Sequence, residues 1–258
     1  MEPVHEHNSA VWDRSAASGG RWSTPVTSAD VERARAGDVI VQLTPTRPVP
    51  ADWLPPLAGL EVLGLASAGG QQAPLFAAAG ARVTVVDISE GQLALDREVA
   101  EREGLDLRTV RGDITDLSAF DDASFDLVFH PSSNSYLRDV RAVWAGAARV
   151  LRPGGTLLAG FNNPAVYIFD PGPHDRGVLE VRYPLPFSDA DDLPPEERDA
   201  RVAAGQALEF GHTLEEQIGG QLEAGFELLG FYEDRMESLA LATYMATSIA
   251  TRARRAAA

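Results

Sequence analysis

Short apolar runs alternate with helix-like segments from residue 60 onward. The first five runs cover residues 60–66, Arg82–Asp87, Leu107–Arg111, Phe125–His130 and 156–161. Strands that alternate with helices in this way predict βαβ units and a parallel sheet. Two more runs, 226–231 and 239–249, complete a predicted α/β fold, a doubly wound, mostly parallel seven-stranded sheet with helices on both faces.

Three helices are marked by their own local signals. Ser89 and Gln92 have capping-box spacing at the start of a helix that runs to about Glu103, and Thr213 and Glu216 repeat that spacing at another. A third helix is predicted over 136–151, and the Pro-Gly-Gly turn that follows is expected to end it. Its apolar face at helical spacing consists of Leu137, Val140, Trp144, Ala147 and Leu151.

The chain reads as one domain, 1–258, with four segments. Residues 1–56 are a helical or irregular leader, and 57–163 form the regular core. Residues 164–212 break the pattern after the fifth strand and are interpreted as a lid or substrate insert, with a hairpin formed by 166–170 and 178–183 and an acidic loop at 189–197. Residues 213–258 supply the last helix and the last two strands.

Composition narrows the classes of partner. The chain of 258 residues carries a formal net charge of −16 and no cysteine, so nucleic acid and anionic membrane surfaces are poor partners and thiolate chemistry is excluded. No apolar run is long enough for a membrane span, and a cytoplasmic protein is expected. A homodimer is compatible with the sequence. No metal site is predicted, because His5, Glu6 and His7 are expected to lie on a mobile terminus.

The clearest candidate for ligand binding is the segment from residue 61 to Asp87. The first strand enters a loop of small residues, 64–70, and the second strand ends on Asp87. Such a loop lets a ligand approach the backbone and presents free N–H groups, and a carboxylate at the second strand end can accept hydrogen bonds from both hydroxyls of a ribose. Tight βα turns also favour small residues for purely structural reasons.

The continuation of the chain resembles the class I S-adenosylmethionine-dependent methyltransferases. The shared landmarks are the small-residue loop, Asp87, the acid Asp113 after the third strand and the Pro-Gly-Gly turn at 153–155. The resemblance covers about residues 57–161. It implies a Rossmann-like methyltransferase fold and S-adenosyl-L-methionine as cofactor. It assigns Asp87 to the ribose, Ile88 to the adenine face, and Asp113 with Ile114 to the adenine amino group and ring edge. The other candidates for cofactor contact are Gly64, Ala66, Ser67, Gly70, His130 and Asn134.

The loop departs from the family's pattern. Gly64 stands where the family carries an acid, and Ala66 and Ala68 replace two glycines. A methyl group is compatible with the turn where φ is negative. Without the acid, another group must receive the methionine ammonium, and the candidates are the Ala66 carbonyl and the side chains of Ser67 and Asn134.

Two histidines are candidates for a general base. His130 ends the fourth strand, which in the family faces the transferring methyl group, and His212 precedes the helix at Thr213. Each has a structural alternative, because His130 can line the cofactor pocket and His212 can cap a helix. Trp12 and Trp22 of the leader are candidates to close over the cofactor or to serve as packing.

The sequence therefore predicts methyl transfer to a small-molecule acceptor. Aromatic residues of the insert, Tyr167, Phe169, Tyr183 and Phe187, either line an apolar acceptor pocket or pack the hairpin. One rival is a nicotinamide-dependent oxidoreductase, which would need a Gly-x-Gly-x-x-Gly loop that is missing here. Another is a cofactor-binding regulator that has lost catalysis, an idea that the altered loop motivates.

Overall fold

The computed structural model describes residues 3–170 and 176–257 and has the predicted seven-stranded sheet. Its strand order is β3-β2-β1-β4-β5-β9-β8, and a separate two-stranded sheet joins β6 and β7. The strands are β1 (Glu61–Leu65), β2 (Arg82–Asp87), β3 (Leu107–Arg111), β4 (Phe125–His130), β5 (Leu151–Asn162), β6 (Phe187–Ser188), β7 (Phe210–Gly211), β8 (Phe226–Asp234) and β9 (Ser248–Arg255).

Helices cover both faces of the large sheet. They are α1 (Pro3–Ser18), α2 (Ser28–Arg35), α3 (Ala73–Ala78), α4 (Glu90–Glu103), α5 (Val140–Val150), α6 (Pro195–Ala203) and α7 (Gly220–Glu223). Because side chains alternate along a strand, β1 sends Val62 into one core with Phe76 of α3, and Leu63 into the other core with Trp144 of α5. The predicted Rossmann-like fold is thus confirmed.

Parallel pairing brings several strand ends to one edge. Strand β1 pairs in parallel with β2 and β4, β4 pairs in parallel with β5, and β5 pairs antiparallel with β9. The carboxyl ends of β1, β2, β4 and β5 therefore lie together, at the edge where open α/β sheets bind ligands.

The helix predicted over 136–151 is shorter than expected. Residues Asn134–Tyr136 form a 3₁₀ turn, and α5 begins at Val140, where the Asp139 side chain accepts the Ala142 N–H at 3.2 Å. A polar cap that satisfies an exposed N–H sets this start better than apolar periodicity does. The Pro-Gly-Gly turn lies inside β5 as an irregularity in its pairing with β4, and Gly154 has φ of +80°.

The last strand lies further along the chain than the predicted 239–249. Residues Ala240–Thr243 form a 3₁₀ turn, and β9 covers Ser248–Arg255 between β5 and β8. The small side chains of Ala250 and Ala253 are fully buried there. Alanine and arginine favour helix locally, so the central place of this segment in the sheet overrides its propensity.

The leader and the insert fold onto the ligand-binding edge. Helix α1 packs on α4, so the expected mobile terminus is wrong from residue 3 onward. The insert contains the 3₁₀ helix Pro164–Ile168, β6, α6 and β7. Phe169 and Val181 form an antiparallel bridge, as the predicted hairpin requires, although 171–175 of its turn lie outside the described residues. Part of the predicted acidic loop is the start of α6.

Among the helices of the described residues, none has the length and apolar character of a membrane span.

Candidate active site

A cavity of about 340 Å³ opens at the carboxyl ends of the parallel strands. Its wall at the β1 and β2 side includes Ala66, Asp87 and Ile88, and its opposite wall includes Asn162 and Glu209. A second cavity holds Asp113 and is bordered, like the first, by Ile88, Tyr136 and Leu137. The structure thus brings four predicted cofactor residues, Ala66, Asp87, Ile88 and Ile114, to one cavity and Asp113 to its neighbour.

Asp87 is a nearly buried carboxyl group on the cavity wall. Its Oδ1 accepts the Ser89 N–H at 2.8 Å. Burial is the main cause that raises the pKa of Asp87 to about 7; the Ser89 hydrogen bond opposes this shift, and the charge of Asp13 adds to it. Asp13 of α1 in turn accepts hydrogen bonds from the Ser89 hydroxyl at 2.6 Å and the Gly91 N–H at 2.9 Å. A hydroxyl donor that reaches Asp87 would stabilise its ionised form.

The two alanines of the loop adopt left-handed backbone conformations. Ala66 has φ of +46° and Ala68 has φ of +63°, so the negative φ at which a methyl group would suit the turn is adopted at neither position. The close turn out of β1 requires this conformation, which is why the family's glycines suit it. A methyl group in the left-handed region costs about 1–2 kcal/mol per residue. The loop therefore stores backbone strain at the cofactor site.

The sequence predicts that the loop presents free N–H groups to a ligand, but two of these groups are already hydrogen-bonded within the protein. The Gly69 N–H donates to Gln92 Oε1 at 2.7 Å, and the Gly70 N–H donates to Asp96 Oδ1 at 2.8 Å. A Cβ on Gly69 would collide with the Gln92 backbone. Sequence reasoning placed Gln92 in the helix cap and did not predict that either α4 side chain binds the loop. Asp96 did carry a signal, because it falls on the buried face of α4 together with Leu93 and Val99.

The Ser67 hydroxyl lies next to the position that the side chain of the family's acid would occupy at residue 64. A Cβ built on Gly64 would be 2.8 Å from Ser67 Oγ, so that hydroxyl occupies the space next to the missing side chain. Ser67 Oγ is buried and has no hydrogen-bond partner within the described residues. Ser67 does not itself line the cavity, although its neighbours Ala66 and Ala68 do. Its buried hydroxyl can accept or donate one more hydrogen bond, and buried polar atoms normally have partners.

His130 and Asn134 are buried behind the cavity wall. The His130 ring lies 3.2 Å from the Leu65 carbonyl through Nδ1 and 2.5 Å from Asn134 Oδ1 through Nε2. Asn134 Nδ2 then donates to Gln217 Oε1 at 2.7 Å. Burial lowers the pKa of His130, and the hydrogen bonds to Asn134 and Leu65 oppose this shift. Neither side chain lines the cavity, so their catalytic and cofactor-binding roles stay predictions.

His212 is also buried, against the turn that follows β4. Its Nε2 lies 2.9 Å from the Leu137 carbonyl and 3.2 Å from the Asn134 carbonyl. Thr213 and Glu216 form the predicted capping box, with the Thr213 N–H donating to Glu216 Oε2 at 2.8 Å and the Glu216 N–H donating to Thr213 Oγ1 at 3.1 Å. The base role of His212 likewise stays a prediction.

A polar cluster lies at the far wall of the cavity, and sequence reasoning named only Tyr167 among its members. The Tyr167 hydroxyl donates to Glu209 Oε2 at 2.9 Å and accepts from Asn162 Nδ2 at 2.8 Å. Burial raises the pKa of Glu209 to about 6, and the Tyr167 hydrogen bond opposes this shift. Glu209 stands between Leu208 and Phe210 in the sequence, with no local motif that marks it.

The aromatic rings of the insert mostly pack on one another. Phe187 lies 6.4 Å from the Tyr167 ring and 4.6 Å from the Tyr183 ring, measured between centroids, as the packing alternative for these residues requires. Aromatic surface at the cavity comes instead from Trp12, Trp22 and Tyr136. The Trp12 and Tyr136 rings meet edge to face at 5.1 Å.

Helix α1 joins the two ends of the site. Asn8 makes two hydrogen bonds of 2.9 Å with the backbone of Leu208, one as donor and one as acceptor. The Ser9 hydroxyl donates to the Ile88 carbonyl at 3.0 Å, and His5 Nδ1 lies 3.5 Å from Asp113 Oδ2. The leader is therefore a wall of both cavities.

Comparison with known proteins gives the class. The methyltransferase domain family matches residues 63–159. The uncharacterized methyltransferase YbaJ of Bacillus subtilis is 46% identical over 252 residues, which cover 98% of each chain. A crystal structure of an S-adenosylmethionine dependent methyltransferase from Mesorhizobium loti superposes with a TM-score of 0.58 at 19% identity, covering 79% of this chain and 94% of that one. A Listeria monocytogenes protein superposes with a TM-score of 0.59 at 15% identity over 79% and 94% of the two chains.

The chain belongs to the class I methyltransferase family, in agreement with its sheet order and with the position of its cavity. It is an S-adenosylmethionine-dependent methyltransferase, and its cofactor is S-adenosyl-L-methionine. The oxidoreductase and the non-catalytic regulator are not favoured by these relationships.

Proposed function

We propose that this enzyme transfers a methyl group to a small-molecule acceptor bound at the carboxyl ends of β4 and β5. The observation that supports the proposal is the cavity itself, which continues from Asp87 past Tyr136 to Glu209. Asp87 and Asn162 end strands three positions apart in the sheet, and strands lie about 4.8 Å apart, so their strand ends are separated by about 14 Å. A cofactor whose ribose is bound at Asp87 would therefore leave the part of the cavity next to Glu209 free for an acceptor.

Several residues at the β1 and β2 side suit the cofactor. Asp87 would accept hydrogen bonds from the ribose hydroxyls, and Ile88 and Ile114 would flank the adenine, with Asp113 near its amino group. S-adenosyl-L-methionine supplies a methyl group on a sulfonium sulfur, which leaves as a thioether. Gly64 and Gly70 would shape the loop.

The ammonium group of the cofactor's methionine moiety needs a hydrogen-bond acceptor other than the acid that the family carries at this position. We propose Ser67 Oγ, which has no described partner, together with the Ala66 carbonyl. Asn134 is a weaker candidate, because both ends of its amide already bond to His130 and Gln217.

The described residues of the insert, 164–170 and 176–212, are proposed to act with α1 as a cover. Asn8 ties the leader to Leu208 at the end of the insert, and Trp12 and Val166 reach the cavity from the two segments. A cover of this kind would exclude water and hold the acceptor in line with the methyl group. The arrangement favours an acceptor small enough to be enclosed over an extended polymer.

The two histidines are proposed to position the site. His130 and Asn134 connect the end of β1 to the turn after β4, and His212 holds the same turn through two carbonyl groups. Methyl transfer depends strongly on alignment, so a rigid turn at Ser135 and Tyr136 contributes without proton transfer.

The proposal is tested first by calorimetric titration of the purified protein with S-adenosylhomocysteine, with NAD as the control ligand. We expect micromolar binding of the former and none of the latter. Incubation with methyl-labelled S-adenosylmethionine and small acceptors, with tRNA and protein fractions as competitors, then tests the acceptor class. Label recovered only in macromolecules would contradict a small-molecule acceptor.

A further inference from the structure

The far wall of the cavity carries an acidic side chain with hydroxyl and amide neighbours. Glu209 faces the cavity just before β7, with Tyr167 hydrogen-bonded to one carboxyl oxygen and Asn162 behind Tyr167. Tyr136 stands close enough that the Glu209 charge raises the pKa of its hydroxyl, although burial is the larger cause. The cluster joins three separate segments of the chain, so it is assembled by the fold.

The charges around Glu209 leave the cavity acidic. Arg201 acts on Glu209 electrostatically, but that guanidinium lies 3.6 Å from the carboxylate of Asp189, which also faces Glu209 and opposes its ionisation. Among the described residues that line the cavity, Asp87 and Glu209 are the charged groups, and none is an arginine or histidine. A ligand with a carboxylate or phosphate would be repelled from this wall, whereas a ligand with an amino group would be attracted.

The apolar surface near Glu209 indicates what the rest of an amine ligand is like. Val166, Met236 and Leu239 line the cavity on this side, and Trp12 and Tyr136 add aromatic faces. Apolar walls with one or two placed polar groups are typical of small-molecule sites.

We propose, on the basis of the proposed function, that Glu209 is the acceptor-binding residue and that the acceptor is a primary or secondary amine on a compact apolar or aromatic body. Tyr167 and Asn162 position the carboxylate, and the acceptor's nitrogen donates an N–H to it. The carboxylate thereby orients the nitrogen lone pair toward the sulfonium methyl group.

The reaction step balances with the groups present. The amine binds as an ammonium ion and first loses one proton, through the Glu209 carboxylate, to solvent. The neutral nitrogen then gives its lone pair to the methyl carbon while the carbon–sulfur bond breaks and its electron pair stays on sulfur. The positive charge passes from sulfur to nitrogen, next to the Glu209 carboxylate, which stabilises it and takes the extra proton. The products are the N-methylated amine and S-adenosylhomocysteine, and the proton leaves from Glu209 to solvent.

The first experiment measures amine binding to the protein saturated with S-adenosylhomocysteine. The probes are benzylamine and N-methylbenzylamine within a panel of small amines, and benzyl alcohol serves as the neutral match. We expect amines of the panel to bind at least tenfold more tightly than their alcohols at pH 8. Glu209→Gln should remove that preference and leave the affinity for S-adenosylhomocysteine within twofold, whereas Glu180→Gln, an exposed acid of the insert, should change neither.

The pH profile separates a charge effect from a packing effect. Ionised Glu209 is the form that attracts the amine, so amine affinity should fall about tenfold per pH unit below about 6. Tyr167→Phe removes the hydrogen bond that opposes the raised pKa of Glu209, and the midpoint should move to higher pH.

Three outcomes would overturn the inference. They are equal affinity for amines and alcohols in the wild-type protein, amine methylation that Glu209→Gln leaves intact, and a loss of S-adenosylhomocysteine affinity in Glu209→Gln. The last would assign Glu209 to the cofactor's ammonium instead. Failure of the wild-type protein to bind S-adenosylhomocysteine at all would instead contradict the proposed function.

Discussion

The carboxyl group of Asp96 in α4 accepts a hydrogen bond from the backbone N–H of Gly70 at 2.8 Å. This contact ties the loop after β1 to the neighbouring helix, and it does so with an acid that is almost completely buried. Burial is the main cause that raises the pKa of Asp96 to about 8; the Gly70 hydrogen bond opposes the shift and the charge of Asp87 adds to it. The loop thus depends on a group whose charge state changes near neutral pH.

Replacing Asp96 by asparagine should make the stability less sensitive to pH. The folded pKa of about 8 lies above the unfolded value of 3.8, so the protonated acid contributes stability below about pH 4 that is lost as the pH rises through 8. Asp96→Asn keeps an oxygen for Gly70 without a charge. Each pH unit between the two pKa values contributes about 1.4 kcal/mol, so we expect the stability of the variant relative to the wild type to rise by several kcal/mol between pH 4 and pH 9, measured by urea unfolding. Asp121→Asn, at an exposed aspartate, should show no such trend.

The strained alanines of the loop should accept glycine with a gain in stability. Ala66→Gly and Ala68→Gly each relieve a methyl group at positive φ, which outweighs the extra freedom of glycine in the unfolded chain, so the free energy of unfolding should rise by about 0.5–1 kcal/mol. Ala123, with φ of +52° away from the site, is a matched position and should behave alike. Ala94→Gly, in the exposed interior of α4, should lose about 1 kcal/mol. If glycine at 66 and 68 lowered the free energy of unfolding, the two alanines would not be strained.

Binding of S-adenosylhomocysteine should strengthen as the pH rises through 7. Ribose hydroxyls donate to the ionised carboxyl group of Asp87, whose pKa is about 7 in the free protein, so affinity at pH 6 should be about tenfold weaker than at pH 8. Asp87→Asn should weaken binding and flatten the profile. Asp13→Asn removes a charge that raises the pKa of Asp87, so its midpoint should move to lower pH. If neither substitution changed the pH dependence of S-adenosylhomocysteine binding, the placement of the ribose at Asp87 would be contradicted.

His130→Phe should affect folding more than chemistry. The substitution keeps a ring but removes the two ring nitrogens that contact the Leu65 carbonyl, Asn134 Oδ1 and the Ser133 hydroxyl, so these groups lose a partner in the interior. We expect a loss of about 2–4 kcal/mol in the free energy of unfolding and, at a temperature where the variant is folded, a fall in kcat below tenfold. A kcat reduced a thousandfold with intact stability would establish the general base instead.

The contact between Asn8 and Leu208 should hold the leader over the site. Asn8→Ala leaves the N–H and the carbonyl of Leu208 without these partners, and α1 should open more often. Hydrogen exchange in α1 should accelerate at least tenfold, and affinity for S-adenosylhomocysteine should fall several-fold because α1 carries Trp12. Ser18→Ala, at an exposed position near the end of the same helix, serves as the control. Unchanged exchange in Asn8→Ala would show that other contacts hold the leader.

The local pattern of the core was sufficient to predict most of its elements. Strands β2, β3 and β4 begin and end at the predicted residues, because buried parallel strands are short apolar runs between turn residues. Asp87 was predicted at the cavity for the same reason, since a strand end in a parallel sheet has one possible edge to face, whereas Ile88 was predicted from the resemblance to the methyltransferase family. The strand at Ser248–Arg255 was missed because its burial depends on two distant neighbours, β5 and β8.

By itself the sequence determined the α/β class, the positions of the core strands along the chain and the resemblance to methyltransferases, all of which follow from neighbours along the chain. Only the tertiary structure decided that Asp96 holds the loop, that Ala66 is strained and that Glu209 faces the cavity. Each of these depends on burial and on partners far apart in sequence, and burial changes the chemistry of an acid in a way that no local pattern records.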